Sequence, residues 1–286
     1  MTKDQLLTRL SSTMFTRRGA LLAGAAACGA AGTAGLLSLG SGGEPVRPVL
    51  PAAGSPARAT LKPSANRLQP LTGYGPPRTE PGPTLVRREP FLRISGRGST
   101  MVLTFDDGPD PRYTPYILDT LAEYDVRAMF FVCGEMAARH QDLPARMADE
   151  GHVVGNHTWS HPLLTGLSRR RIRWEMESTS DVIEEACGER PQWFRAPYGA
   201  WNRAAFQIGA ELGMEPLAWT VDTLDWTTPG ARTIAGRVEH GAAPGVVVLS
   251  HDAGGDRTQS VRALRDYLPH LLDCGYHMTV PRRHPA

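Results

Sequence analysis

From about position 100 onward, short apolar runs alternate with stretches in which apolar residues recur every three to four positions. The runs 101–105, 128–132, 152–155, 192–195, 215–219, 245–249 and 276–280 predict strands. The segments 113–124, 141–150, 168–187, 202–213, 231–240 and 258–274 predict helices. In the longest of these, Ile172, Met176 and Ile183 recur at helical spacing with charges between them. Leu264, Leu268, Leu271 and Leu272 give the last helix an apolar face, and Gly275 stops it. Such alternation predicts βα units around a parallel sheet, with no internal repeat and no second domain.

Polar residues with chemical potential cluster where the strands end. Met101-Val102-Leu103 runs into Thr104-Phe105-Asp106-Asp107-Gly108-Pro109, two adjacent carboxylates followed by a forced turn. Neighbouring anions are costly unless a metal or cation separates their roles. His157-Thr158-Trp159-Ser160-His161 follows another predicted strand. If helical, it sets two imidazoles one turn apart on one face, close enough to share an ion. A nearby carboxylate completes a His-His-Asp set, which suits zinc with open positions. Three further pieces follow: Arg195-Ala196-Pro197-Tyr198-Gly199, Asp222-Thr223-Leu224-Asp225-Trp226 and Leu249-Ser250-His251-Asp252. Taken singly, Arg195 fits a surface ion pair, Trp226 a core aromatic and His251 a structural histidine. Five such pieces, each at a strand end, point to one site and to a barrel rather than an open sheet.

In kind and in order these five runs resemble the polysaccharide deacetylases that share the nodulation-protein-B homology domain, carbohydrate esterase family 4. The resemblance covers roughly residues 99–280. Ala196 stands where the family often has proline, and Cys133 interrupts a Phe-Phe-Val-x-Gly strand; neither removes a chemical group. The resemblance implies a distorted (β/α) barrel forming a single catalytic domain, and metal-assisted removal of acetyl groups from sugars. It implies Asp107, His157 and His161 as metal ligands, Asp106 as general base and Arg195 as its partner. His251 would be the general acid, oriented by Asp225. The backbone N–H of Tyr198 would stabilise the oxyanion, and Trp226 with Leu249 would wall a pocket for the acetyl methyl. The expected cofactor is one divalent ion, Zn2+ or else Co2+ or another.

Net charge is +2 and the arginines are dispersed, so no nucleic-acid partner is implied. The N-terminal third departs from the globular pattern. Arg17-Arg18 precede an uncharged Ala/Gly/Leu-rich stretch, so residues 1–41 resemble a twin-arginine export signal, with a retained membrane anchor as the alternative. Residues 42–98 are rich in Pro, Gly and Arg without periodicity and predict a disordered linker, leaving 99–286 as the catalytic domain. An extracellular or wall-associated protein follows, with no evident protein partner and a monomeric state expected. After export, Cys133, Cys187 and Cys274 remain; Cys133 predicts a buried thiol, while Cys187 and Cys274 could pair. For an exported protein the nearest acetylated polymer is peptidoglycan. Chitin oligomers, acetylated xylan and a non-catalytic wall-binding module are the alternatives.

Overall fold

The computed structural model describes residues 84–94 and 98–281. The expected export signal and most of the expected linker lie outside them. The strands are β1 (Thr100–Asp106), β2 (Met129–Val132), β3 (Val153–Asn156), β4 (Trp193–Phe194), β5 (Glu215–Pro216), β6 (Val221–Asp222), β7 (Val247–His251) and β8 (His277–Met278). The helices are α1 (Thr114–Glu123), α2 (Gly134–Arg139), α3 (Asp142–Asp149), α4 (Arg169–Cys187), α5 (Arg203–Glu211), α6 (Ala231–Gly241) and α7 (Thr258–Asp273). Helix α2 was not expected; it is short, and no apolar period announces it. The run 215–219 forms only β5, and β6 follows it as an eighth strand.

Every pairing between these strands is parallel, in the order β5-β4-β3-β2-β1-β7-β6, with β8 beside the start of β1. The sheet curls into a half-barrel, and no strand pairing joins β5 to β6 among the described residues. Strand β1 lies at the centre and is buried on both faces. Met101, Leu103 and Phe105 meet the helix layer with Ile117, Leu121 and Leu268. The alternate residues point the other way, where Val102 packs with Phe131, Trp193, Leu217 and Val247 inside the barrel.

Residues 84–94, inside the segment expected to be linker, lie against the sheet. Phe91 bridges to Leu217 beyond β5, and Arg93 bridges to Val246 before β7. Arg87 pairs with the buried Glu215 and stacks over Phe91. The segment therefore crosses from the β5 edge to the foot of β7. Its Pro-rich composition hides this role, because its hydrogen-bond partners are more than a hundred residues distant.

Register carries the chemistry. Asp106 pairs with His251 on one side and Phe131 on the other, Val132 with Asn156, and Asn156 with Phe194. The residues that end or follow these strands, Asp107, His157, Arg195 and His251, therefore emerge on one rim.

Candidate active site

The alternation of β1 sets Thr104 and Asp106 on the same inner face, and Arg195 joins them. The Arg195 Nη1 donates to Asp106 Oδ1 at 2.7 Å and to Thr104 Oγ1 at 2.8 Å. Its Nε and Nη2 donate to the carbonyls of Leu217 and Ala218. The guanidinium lies 4.2 Å from the centre of the Phe131 ring and is 0% exposed. Burial draws the Arg195 pKa down against the pull of Asp106, but a guanidinium starts high enough to stay charged. Arg195 is thus a permanent, fully directed cation, not a surface ion-pair residue.

Asp107 adopts a left-handed backbone with φ 76°, which turns its side chain away from Asp106 and toward two histidines. Its Oδ1 lies 3.5 Å from His157 Nε2 and 3.2 Å from His161 Nε2. His157 Nδ1 sits 2.8 Å from the Arg195 carbonyl, which can only accept. Nδ1 therefore carries a proton, and Nε2 is the ring nitrogen that faces Asp107. Burial opposes the charge on Asp107. The facing ring of His157 and the charges of His251 and His161 outweigh it and hold this carboxyl below its usual range. The next residue must be glycine, because a Cβ on Gly108 would lie 2.2 Å from the buried Asp252 carboxylate.

The metal-binding capacity of Asp107, His157 and His161 follows from these contacts. Their ligand atoms lie within 4.8 Å of one another, and Asp107 Oδ1 is buried without a hydrogen-bond partner. One carboxylate and two imidazoles form a three-residue set that fits a divalent ion with positions left open.

The segment 157–161 is a loop, not the helix considered from its spacing. Thr158 and His161 both have positive φ, 70° and 54°. Side chains from β3 and α4 impose this shape. Asn156 Oδ1 accepts the Thr158 N–H, and Asn156 Nδ2 anchors to the Met176 carbonyl. Glu175, 0% exposed, accepts the N–H groups of Trp159 and Ser160 and the Ser160 hydroxyl. The imidazoles end with ring centres 5.0 Å apart.

A second carboxylate–cation pair stands beside the first. Asp225 Oδ1 meets His251 Nδ1 at 2.6 Å, and its Oδ2 accepts the His251 N–H and the Ser260 hydroxyl. Burial disfavours the imidazolium, but the charge and hydrogen bond of Asp225 prevail and push the His251 pKa up to about 9. The same charge holds Asp225 down against its own burial. Leu224 takes a left-handed turn, with its N–H bonded to Asp222 Oδ1, and the turn delivers Asp225 and Trp226.

Tyr198 also has positive φ, 60°, and its ring meets His161 edge-on at 4.6 Å between centres. Its backbone N–H takes no backbone acceptor among the described residues. Trp226 is 39% exposed, which removes the reading of a core aromatic, while Leu249 is buried on β7. Cys133 is a buried free thiol; Cys187 and Cys274 are free as well, so they do not pair. Four contributors escaped the sequence reading: Thr104, Asn156, Glu175 and Ser260. Glu175 had a signal, since it shares the helical face of Ile172 and Met176. A charge there marks either an error in the face or a buried partner.

The model of the polysaccharide deacetylase family matches residues 94–217. A chitooligosaccharide deacetylase of Rhizobium leguminosarum bv. trifolii is 38% identical over 204 residues, 68% of this chain and 95% of the relative. A peptidoglycan-N-acetylglucosamine deacetylase of Bacillus cereus is 39% identical over 176 residues, 61% of this chain and 64% of the relative. Among solved structures, a peptidoglycan deacetylase from Bacillus subtilis superimposes with a TM-score of 0.60 at 38% identity, covering 65% of this chain and 90% of its own. A family 4 carbohydrate esterase from Streptomyces lividans, solved with acetate, gives a TM-score of 0.60 at 30% identity, covering 64% and 93%. The chain belongs to the polysaccharide deacetylases, carbohydrate esterase family 4.

Proposed function

We propose that this protein removes N-acetyl groups from the N-acetylglucosamine of peptidoglycan, with one divalent ion, zinc, held by Asp107, His157 and His161. The observation that carries this reading is a pair of carboxylate–cation couples beside a His-His-Asp set. One couple cannot release a proton and the other can. A bound divalent ion supplies polarisation of the acetyl carbonyl and acidifies the attacking water. Asp106, held through Oδ1 by Arg195, takes the proton of that water as the new C–O bond forms. The Tyr198 N–H donates to the carbonyl oxygen as it becomes negative. His251, charged at neutral pH, gives its Nε2 proton to the amide nitrogen as the C–N bond breaks, so acetate and a free amine leave. Trp226 and Leu249 wall the space for the acetyl methyl.

The choice of peptidoglycan is supported by the expected twin-arginine export of residues 1–41 and the spacer that follows, which bring the enzyme to the cell's own wall. The second reading is a chitooligosaccharide deacetylase, favoured by the 38% identity to a relative of that name. Acetate release from purified peptidoglycan, chitooligosaccharides and acetylated xylan, measured side by side, decides between them. Peptidoglycan is expected to react fastest, and faster turnover of chitooligosaccharides overturns the substrate. A chelator is expected to abolish release and zinc to restore it; full activity in a metal-free sample overturns the mechanism.

A further inference from the structure

His251 ends β7 and meets Asp225; Asp252 follows it and meets a different element. Its carboxyl, 1% exposed, lies against Thr114, the first residue of α1 and itself buried. Three contacts tie Asp252 to the turn that carries Asp106 and Asp107. Its N–H donates to the Asp106 carbonyl at 3.1 Å. Both of its carboxylate oxygens lie over Gly108, where a Cβ would come within 2.2 and 2.3 Å of them. The Thr114 hydroxyl donates to Asp252 Oδ2 at 2.5 Å and accepts the Asp110 N–H at 2.8 Å. The carboxyl thus touches the turn at its start and middle, and through Thr114 at its end. From the other flank, the Cys133 N–H donates to the Gly108 carbonyl at 2.9 Å.

The turn needs such support. Asp107 reaches its histidines from a left-handed backbone, φ 76°, which a residue with a Cβ adopts only at a cost. Such conformations persist where the surroundings over-determine them. The segment after Asp252 adds a further constraint. A Cβ on Gly254 would lie 2.5 Å from Asp107 Oδ2, so the backbone there closes directly over the ligand carboxylate. Arg257, 3% exposed, fixes that segment by donating to the carbonyls of Ala253 and Gly254 at 2.6 and 3.0 Å. A carboxyl is an expensive side chain to bury next to two others. Its presence here points to the geometry it enforces rather than to packing alone.

We propose that Asp252 is a positioning residue of the deacetylase site: with Thr114 it holds the turn at 106–110 so that Asp107 meets His157 and His161 while Asp106 stays on Arg195. Asp252 does not touch the acetyl group; it acts through the two carboxylates it holds apart. This role rests on the reading of Asp107, His157 and His161 as the metal ligands. Residues that orient a metal ligand from behind change metal affinity when they are altered, even though they never meet the ion.

The test is Co2+ binding to metal-free protein, followed by visible absorption in the absence of substrate. Asp252→Ala removes the support under Gly108, and Thr114→Val removes the hydroxyl while nearly keeping the volume. The Co2+ dissociation constant is expected to rise about 10–100-fold in Asp252→Ala and about tenfold in Thr114→Val. Thr114→Ser, which keeps the hydroxyl, should recover most of the affinity. Leu121→Ala opens a cavity under the same helix, away from the turn, and should bind Co2+ as the wild type does. If Asp252→Ala does not fold by circular dichroism, Thr114→Val with Thr114→Ser decides alone. Wild-type affinity in the folded variants overturns the proposal. An equal loss in Leu121→Ala overturns it too, as general loosening of the fold. A wild-type protein that binds no Co2+ overturns the metal reading and this role with it, whereas equal binding by wild type and variants overturns this role alone.

Discussion

Asp106–Arg195 and Asp225–His251 are both buried carboxylates joined to a cation at hydrogen-bond distance, 2.7 Å and 2.6 Å. Asp106 and His251 are register partners on the adjacent strands β1 and β7, and the couples differ in one property, the partner's ability to lose a proton. Arg195 cannot lose one, is spread over four acceptors and has no exposure, so Asp106 faces a fixed charge and keeps Oδ2 for chemistry. His251 can, and Asp225 holds it as the imidazolium up to about pH 9. Charge complementarity alone makes neither a base nor an acid. The identity of the cation decides, and a second arginine at 251 would leave a site with no proton to give.

The largest effects come from breaking the two couples at their reactive ends. Asp106→Asn is expected to lower turnover by about 10²–10⁴ while the bound metal, measured by elemental analysis, stays at the wild-type level. Asp107→Ala loses the metal itself. If both variants lose metal equally, the division of labour between the adjacent carboxylates is wrong. On the other couple, His251→Ala is expected to slow amide cleavage by about 10²–10⁴ and cleavage of an activated acetyl ester far less, since a good leaving group needs no proton. Equal losses on both substrates would make His251 a binding residue.

The permanent couple should matter more to the fold than the titrating one. Arg195→Met strands Asp106 without its cation and is expected to cost about 3–5 kcal/mol in chemical denaturation. His251→Gln, at the more open rim, is expected to cost less. The reverse ranking would place the structural burden on the acid couple. The smallest change sharpens the contrast. Activity that requires imidazolium is complete below the His251 pKa and falls as pH rises through it. Asp225→Asn removes the anion that raises this pKa from its ordinary 6.5 to about 9. The alkaline limb of the pH–rate profile should therefore move to lower pH; an unmoved limb assigns it to another group.

Periodicity along the chain determined the alternation of strands and helices, the parallel sheet and the strand ends that carry Asp106, Asp107, Arg195 and His251. These are local consequences: a period of two fixes which residues of β1 face inward, and the βα repeat fixes which strand ends share a rim. Ser168, whose side chain caps α4, and Gly188, left-handed at its end, are local in the same way. Tertiary structure alone decided that Thr104 shares Arg195 with Asp106 and that Glu175 is a buried brace rather than a solvated charge. It also decided that residues 84–94 belong to the sheet edge, and that Asp107, Thr158, His161 and Tyr198 take left-handed turns. The reason, for the shared arginine and the sheet edge, is a partner distant in sequence: Arg195 is 91 residues from Thr104, and Glu215 is 128 from Arg87. Spacing along a chain records which way a side chain points, whereas the group it meets there is set only when the barrel curls.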